Sequence, residues 1–346
     1  MIHSLYIHLP FCRRRCSYCD FYSQTNLSQK GAYIQALEKD AIYFQSLCGE
    51  IKSLYIGGGT PSVFKRREFA SLFAILRRRF RFSKNCETTV EVNPRSANKN
   101  ILSFLGENGV NRLSIGIQFL DAKLLKKARR EHSPEDAEKL FIAARLAGFN
   151  NINTDIIYGF PGQDKKTFAD TLNRITALSP EHISAYIYTP PSNRKNILKE
   201  PTPAEEIIAA MYRTLCRELK KARYCHYEIS NFARPGKQSA HNLNYWGRGA
   251  YAGLGAGAVS SFGNKRLTGA HLNNYLLSPL KKSEEILTKK QINFEKKFLA
   301  LRMLEGIPYR KTHEKFIAPG WMKKNGAKTI FTEKGWLLSN SIIVEL

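Results

Sequence analysis

Pro10-Phe11-Cys12-Arg13-Arg14-Arg15-Cys16-Ser17-Tyr18-Cys19-Asp20-Phe21 follows directly on the apolar, β-branched run Ser4–His8. Three of the chain's seven cysteines crowd into these residues, spaced Cys-x3-Cys-x2-Cys. Thiolates are soft ligands suited to iron–sulfur clusters, and a loop can wrap three of them around one cubane, leaving one iron open to a small molecule. Arg13–Arg15 would help hold the thiols deprotonated. The same spacing could put three small apolar side chains on one helix face, but Pro10 and the three arginines make a poor buried helix. A structural zinc site is the better rival, and it lacks a fourth ligand at finger-like spacing. Cys48, Cys86, Cys216 and Cys225 are isolated and read as ordinary buried thiols.

Outward from this loop, short strand-like runs alternate with longer helical patterns. Strands are predicted at Ser4–His8, Ser53–Ile56, Thr88–Val92, Arg112–Gly116, Asn151–Ile156 and His182–Tyr186. Helices are predicted near Gln29–Leu47, Lys65–Phe80, Lys99–Asn108, Pro134–Ala147, Lys165–Ala177 and Pro203–Ala222. Such alternation implies βαβ units, a parallel sheet and right-handed crossovers. Six units give an α/β fold, a partial (β/α)6 barrel, whose ligands bind beyond the C-terminal strand ends. Polar groups recur at just those ends: Gly57-Gly58-Gly59-Thr60-Pro61, then Glu91, Gln118, Arg130 and Asp155. Glycines admit close backbone approach to a ligand, carboxylates can accept from hydroxyls or an amine, and an arginine can pair with a carboxylate.

The barrel is expected over residues 1–227, a Gly- and aromatic-rich segment closing its mouth over 228–283, and a small helical, winged-helix-like module over 284–346. Within the last, helices are predicted near Phe294–Leu304 and Tyr309–Phe316, and Lys328–Leu346 reads as two short strands around Glu333–Gly335. No run approaches the length of a membrane span and no signal peptide is visible, so a cytoplasmic protein is expected. Seven cysteines then argue against a disulfide framework. The net charge of +25 is scattered, with short clusters at Arg13–Arg15, Arg77–Arg79 and Lys281–Lys282, and reads first as a solvated surface. An enzyme acting on RNA would suit the charge, but no RNA-binding module is visible and nucleic acid is disfavoured.

The cysteine loop resembles the signature of the radical S-adenosylmethionine superfamily, in which the cofactor's amino and carboxylate groups chelate the open iron of a [4Fe–4S] cluster. One electron then cleaves the sulfonium to methionine and a 5′-deoxyadenosyl radical. Across roughly residues 4–275 the series resembles oxygen-independent coproporphyrinogen III oxidases and their relatives. By that resemblance Cys12, Cys16 and Cys19 hold the cluster, and Tyr6, Tyr18, Gly58, Gly59, Thr60, Glu91, Gln118, Arg130 and Asp155 stand at cofactor-contacting positions. His132 is expected to make a structural hydrogen bond, and no residue is assigned as a catalytic base.

Three features resemble the haem chaperone (HemW-type) branch. The cluster motif begins at residue 12, without the longer N-terminal extension of the oxidases. Asp20-Phe21 stands where they carry a further cysteine. His241-Asn242-Leu243-Asn244-Tyr245-Trp246, which they lack, is associated in the chaperones with haem binding. The resemblance thus implies haem as cargo with His241 as candidate ligand, delivery to a respiratory-chain acceptor, and a possible homodimer with peripheral membrane contact. The alternative is oxidative decarboxylation of coproporphyrinogen III to protoporphyrinogen IX. Two departures bear on the ligand rather than the cluster: Val259 stands where the chaperones often have histidine, and Thr189-Pro190-Pro191 lacks the family's glutamate.

Overall fold

The computed structural model describes residues 1–192, 198 and 200–346. Six parallel strands form its centre: β1 (Ile2–Leu9), β2 (Cys48–Gly58), β3 (Phe82–Val92), β4 (Arg112–Gln118), β5 (Ile152–Tyr158) and β6 (His182–Ile187). Each pairs with its sequence neighbour in register, Tyr6 opposite Tyr55 and Glu91 opposite Ser114. The connecting helices are α1 (Lys30–Gln45), α2 (Arg66–Arg79), α3 (Lys99–Glu107), α4 (Ala122–Lys127), α5 (Pro134–Leu146), α6 (Lys165–Leu178) and α7 (Glu205–Lys221). Local chemistry sets several starts. Asn98 and Asp164 cap α3 and α6 through their side chains, and Ser133 with Asp136 boxes the start of α5, where Pro134 needs no hydrogen-bond partner.

Alternation along the strands divides two environments. Leu5, Ile7, Leu54, Ile56, Val90, Leu113, Ile115, Ile156 and Ile183 are buried beneath the helices. The residues between them are polar: Ser4, Tyr6 and His8; Ser53 and Tyr55; Thr89 and Glu91; Arg112 and Ser114; Asn153 and Asp155; His182 and Ser184. They meet across the interior, Tyr55 donating to Glu91 at 3.0 Å and Ser114 to Asp155 at 3.1 Å. The barrel is therefore lined with hydrogen-bonding groups, and its apolar core lies outside the sheet.

The Gly- and aromatic-rich segment, with the residues just before it, contributes to the sheet. β7 (Cys225–Glu228) and β8 (Asn231–Ala233) add antiparallel beyond β6, and β9 (Ala252–Leu254) adds parallel beyond β1. Between them α8 (Ala240–Trp246), started by the Ser239 side chain, carries the His-Asn-x-x-Tyr-Trp segment. A second antiparallel sheet joins β10 (Val259–Phe262), β11 (Lys265–Gly269) and β12 (Lys282–Ile286), with α9 (Leu272–Leu277) between the last two. Lys282, read as part of a solvated cluster, is instead buried in an ion pair of 2.7 Å with Asp40 of α1. Asp40 also accepts from Gly255 and Tyr275, tying α1 to β9 and α9.

The C-terminal part begins with α10 (Lys289–Ala300) and holds a three-stranded sheet of β13 (Ile307–Pro308), β14 (Met322–Asn325) and β15 (Lys328–Phe331), with α11 (Glu314–Ile317) packed beside it. The tail departs from the two strands expected over Lys328–Leu346. The hairpin lies at 322–331, turning on Gly326 at φ +59°, and the residues beyond it form α12 (Glu333–Leu337) and α13 (Ser339–Val344). Thr332 accepts from Gly335 N–H and stops the strand by starting a helix. Phe316, Met322, Phe331, Trp336 and Ile342 join the same apolar core as the barrel helices. Ile229 N–H bonds Arg302 at 2.9 Å along the seam. No helix among the described residues is long and apolar enough to cross a membrane.

Candidate functional site

A cavity of about 420 Å³ opens at the C-terminal strand ends, within the range that holds small-molecule ligands. Cys12, Cys16 and Cys19 line it, as do Tyr18, Gly58, Gly59, Thr60, Glu91, Gln118, Arg130 and Asp155. The cysteine loop is pinned before anything binds. Two backbone hydrogen bonds cross its neck, Cys12 N–H to Gln24 O and Gln24 N–H to Pro10 O. Ser17 N–H reaches Ala128 O at 3.1 Å.

Gly58 and Gly59 let the second strand end run against that loop. Gly59 N–H donates to Leu9 and Thr60 N–H to Phe11, and a Cβ on Gly59 would stand 2.8 Å from both the nitrogen and oxygen of Phe11. Gly58 has φ +111°, a conformation that side chains oppose. Gln118, at φ 68°, turns the end of β4 in the left-handed region that non-glycine residues seldom occupy.

Charge is distributed unevenly around the cavity. Arg130 Nη1 stands 3.8 Å from Cys16 Sγ and 3.3 Å from Tyr18 Oη, and Nη2 donates to Gly116 O. Burial opposes its charge, but Tyr18 and Cys16 outweigh that and raise its pKa. Its Nε is buried with no partner among the described residues, a donor left for something else. Thr60 Oγ1 lies 3.4 Å from Cys12 Sγ, whose thiol is pushed up chiefly by burial. On the opposite wall Glu91 accepts from Gly58 N–H at 3.1 Å and from Tyr55. Burial, then Asp155, pushes Glu91 up to about 7. Burial also raises Asp155, despite donors from Asn153 and Ser114.

The cavity thus offers a thiol-lined, arginine-flanked wall facing two carboxyls, chemistry suited to a cluster on one side and a cationic, hydroxyl-bearing ligand on the other. Among the described residues no three His, Cys, Asp or Glu side chains converge closely enough for one metal ion. The cubane needs less convergence, because its irons are themselves separated.

Two predicted residues lie elsewhere. Tyr6 sits deeper in the barrel and is outside the cavity lining, its hydroxyl 3.0 Å from His8 Nδ1. His241 is only 2% exposed at the barrel floor, between the rings of Tyr6, Tyr55 and Tyr245. Its Nδ1 is 3.1 Å from Ser53 Oγ, and its buried Nε2 has no partner among the described residues. Burial, then Arg112, lowers it to about 3, so the imidazole is neutral. His132 is buried and bonds Ile117 O at 3.2 Å through Nε2; burial, then Arg130, holds it neutral, lowered to about 3. Cys86 and Cys216 are buried, but Cys225, on edge strand β7, is exposed. Asp20 accepts from Ser192 N–H and Oγ, linking the cysteine loop to the chain after β6.

Residues not anticipated are the inward Ser114, Asn153, His182 and Tyr227, which form one hydrogen-bonded network beneath Asp155. Their signal was the polar member of each strand's alternation.

Comparison with known proteins agrees with this geometry. The Radical SAM superfamily family model matches residues 6–175. The protein named heme chaperone HemW of Bacillus subtilis (strain 168) is 35% identical over 329 residues, covering 90% of this chain and 86% of that protein. Heme chaperone HemW of Escherichia coli (strain K12) is 30% identical, covering 98% and 97%. Among solved structures, coproporphyrinogen III oxidase (HemN) from Escherichia coli, described as a radical SAM enzyme, superimposes with a TM-score of 0.85 at 25% identity, over 99% of this chain and 89% of that one. With kinship over nearly its whole length and three cysteines at the mouth of a partial barrel, the chain belongs to the radical SAM superfamily and, within it, to the HemW family.

Proposed function

We propose that this protein is a haem chaperone that carries a [4Fe–4S] cluster on Cys12, Cys16 and Cys19 and binds S-adenosylmethionine beside it. The observation that carries the cofactor reading is the shared cavity: three thiols, the Gly58–Thr60 turn, Glu91, Gln118, Arg130 and Asp155 all line it. When bound, the cluster and cofactor supply one-electron cleavage of a sulfonium. The chain's own residues bind and orient. Arg130, with its unpaired Nε, is placed for the cofactor's carboxylate and for the cluster thiolates' charge. Glu91 and Asp155 would meet its amino and ribose groups, and Gly59 lets the strand end lie against the cysteine loop that holds the thiols.

Haem as cargo is supported by the near full-length relation to proteins named heme chaperone HemW. His241 is the candidate axial ligand: with Ser53 donating to Ser4, the imidazole donates from Nδ1 and keeps the Nε2 lone pair that iron would take. At 2% exposure it reaches a porphyrin only if α8 swings away from the barrel floor. A respiratory-chain acceptor, a homodimer and a peripheral membrane contact complete the reading.

Likeness to the oxidase fold favours a second reading, oxidative decarboxylation of coproporphyrinogen III. One experiment separates them. Anaerobically reconstituted protein is titrated with haem while the Soret band is followed, and a parallel sample receives dithionite, S-adenosylmethionine and coproporphyrinogen III. Tight haem uptake weakened by His241→Ala, without decarboxylation, supports the chaperone. Protoporphyrinogen formed in step with 5′-deoxyadenosine makes it an oxidase.

A further inference from the structure

We propose that His182, which lines no part of the cavity, is the positioning residue that orients Asp155 toward the cofactor. The proposal rests on the reading that Asp155 meets that ligand. Between the two stands Asn153. Its Oδ1 accepts from His182 Nδ1 at 2.6 Å and from Ser184 Oγ at 3.1 Å. Its amide donates to Asp155 Oδ1 at 2.8 Å and to Ser114 Oγ at 2.7 Å, while Ser114 donates to the other Asp155 oxygen. On the far side, His182 Nε2 is 2.7 Å from Tyr227 Oη, and Tyr227 in turn accepts the Ser239 N–H at the start of α8, at 3.3 Å.

With Asn153 in this orientation, the proton positions along the chain follow. Asn153 Oδ1 can only accept, so His182 carries its proton on Nδ1. Nε2 is then an acceptor, and Tyr227 donates to it. The phenol oxygen is left to accept from Ser239. Protons therefore point in one direction, from α8 through Tyr227, His182 and Asn153 to Asp155. A charged imidazole would break the chain, because Nε2 would face Tyr227 as a second donor. Complete burial, then Arg112, opposes that charge.

The direction matters because an amide has nearly the same shape after a half turn. A flipped Asn153 would set its carbonyl oxygen against the Asp155 carboxylate and its NH2 against His182. Size does not forbid the flip. Ser184 does not forbid it either, since a hydroxyl serves as donor or acceptor. Repulsion from the Asp155 oxygen 2.8 Å away opposes it, and the Nδ1–H of His182, favoured by Tyr227 donating to Nε2, opposes it from the other side. Asn153 thereby keeps both donors on the Asp155 side, and the carboxylate keeps one orientation in the cavity.

The test uses the full chain with its cluster reconstituted and S-adenosylhomocysteine, which cannot be cleaved, as the titrant in calorimetry. His182→Phe is expected to weaken binding about tenfold, the cost of one buried charge-linked hydrogen bond. His182→Asn returns an amide donor near the Nδ1 position and is expected to bind within about threefold of the parent. In an Asp155→Asn background, His182→Phe is expected to add no further loss, because it acts only through that carboxylate. Equal affinities for the Phe and Asn variants, or fully additive losses with Asp155→Asn, overturn the proposal. If His182→Phe fails to fold, Tyr227→Phe removes a single hydroxyl; about threefold weaker binding supports the relay and unchanged binding overturns it. Asp155→Asn alone tests the underlying reading: unchanged affinity there means that Asp155 does not meet the ligand, whereas a loss there with no His182 effect refutes the positioning alone.

Discussion

Replacing Glu91 by Gln removes an ionisation that the fold resists. The unfolded chain ionises this carboxyl near 4.5, and the folded chain near 7. Between those values the folded state binds the extra proton. The stability this contributes is complete below about pH 4.5 and is lost as pH rises through about 7. At roughly 1.4 kcal/mol per pH unit, the loss above pH 7 has a ceiling of about 3 kcal/mol. Glutamine keeps an acceptor for Gly58 N–H and carries no charge beside Asp155. The expectation is a variant that is more stable than the parent at pH 8, by roughly 5 °C in thermal unfolding of ligand-free protein, and nearly equal to it at pH 5. Every other titrating group is common to both proteins, so the difference curve reports Glu91. A difference that stays flat from pH 5 to pH 8 refutes the reasoning. The same substitution should weaken S-adenosylhomocysteine binding, and the parent's affinity should rise as pH approaches 7, because the ligand's ammonium needs the ionised carboxylate.

Cys12→Ala, Cys16→Ala and Cys19→Ala should each abolish the broad visible absorbance of reconstituted protein; a variant retaining four irons per chain would remove the cluster assignment. Gly59→Ala should lower cluster content several-fold with little change in far-UV circular dichroism, because its Cβ would press on Phe11 backbone at 2.8 Å rather than on a side chain that can move; normal loading would show that the loop shifts freely. Lys282→Met should cost about 3–5 kcal/mol in denaturant unfolding by leaving Asp40 buried without its cation. Asp40→Asn combined with Lys282→Met should recover much of that loss, and a double variant as unstable as the single one would count against the ion-pair account.

The barrel was legible because each strand alternates and several of the following helices carry their own start signal, as Ser133-Pro134 does for α5. The cysteine loop and the Gly58–Thr60 turn were legible because their residue types are costly elsewhere. β7, β8 and β9 were not, since runs of three or four residues hold too few positions to show a period. The tail was misread for a different reason. Gly326-Ala327, a two-residue hairpin loop with glycine first, places the turn before Lys328, and Thr332-Glu333 announces a helix rather than a second strand. At the site, Tyr6 belongs to the polar, inward half of β1, but no residue of that strand reaches the cavity lining. His182 and Asn153 looked like the ordinary polar half of an alternating strand. Their importance depends on partners across the barrel, and local pattern does not encode those.

The pairing of β9 with β1 joins residues nearly 250 positions apart, Leu5 with Ala252 and Ile7 with Leu254. During synthesis β1 gains β2 early, but its other edge stays open until the chain has grown past Leu254. For that interval the strand that delivers the cysteine loop displays an unpaired row of backbone donors and acceptors, the kind of edge that recruits foreign strands. Closing so distant a contact is also entropically slow. The nascent protein therefore passes through an open form in which the edge of the strand leading to Cys12 is uncovered and open to pairing with other chains.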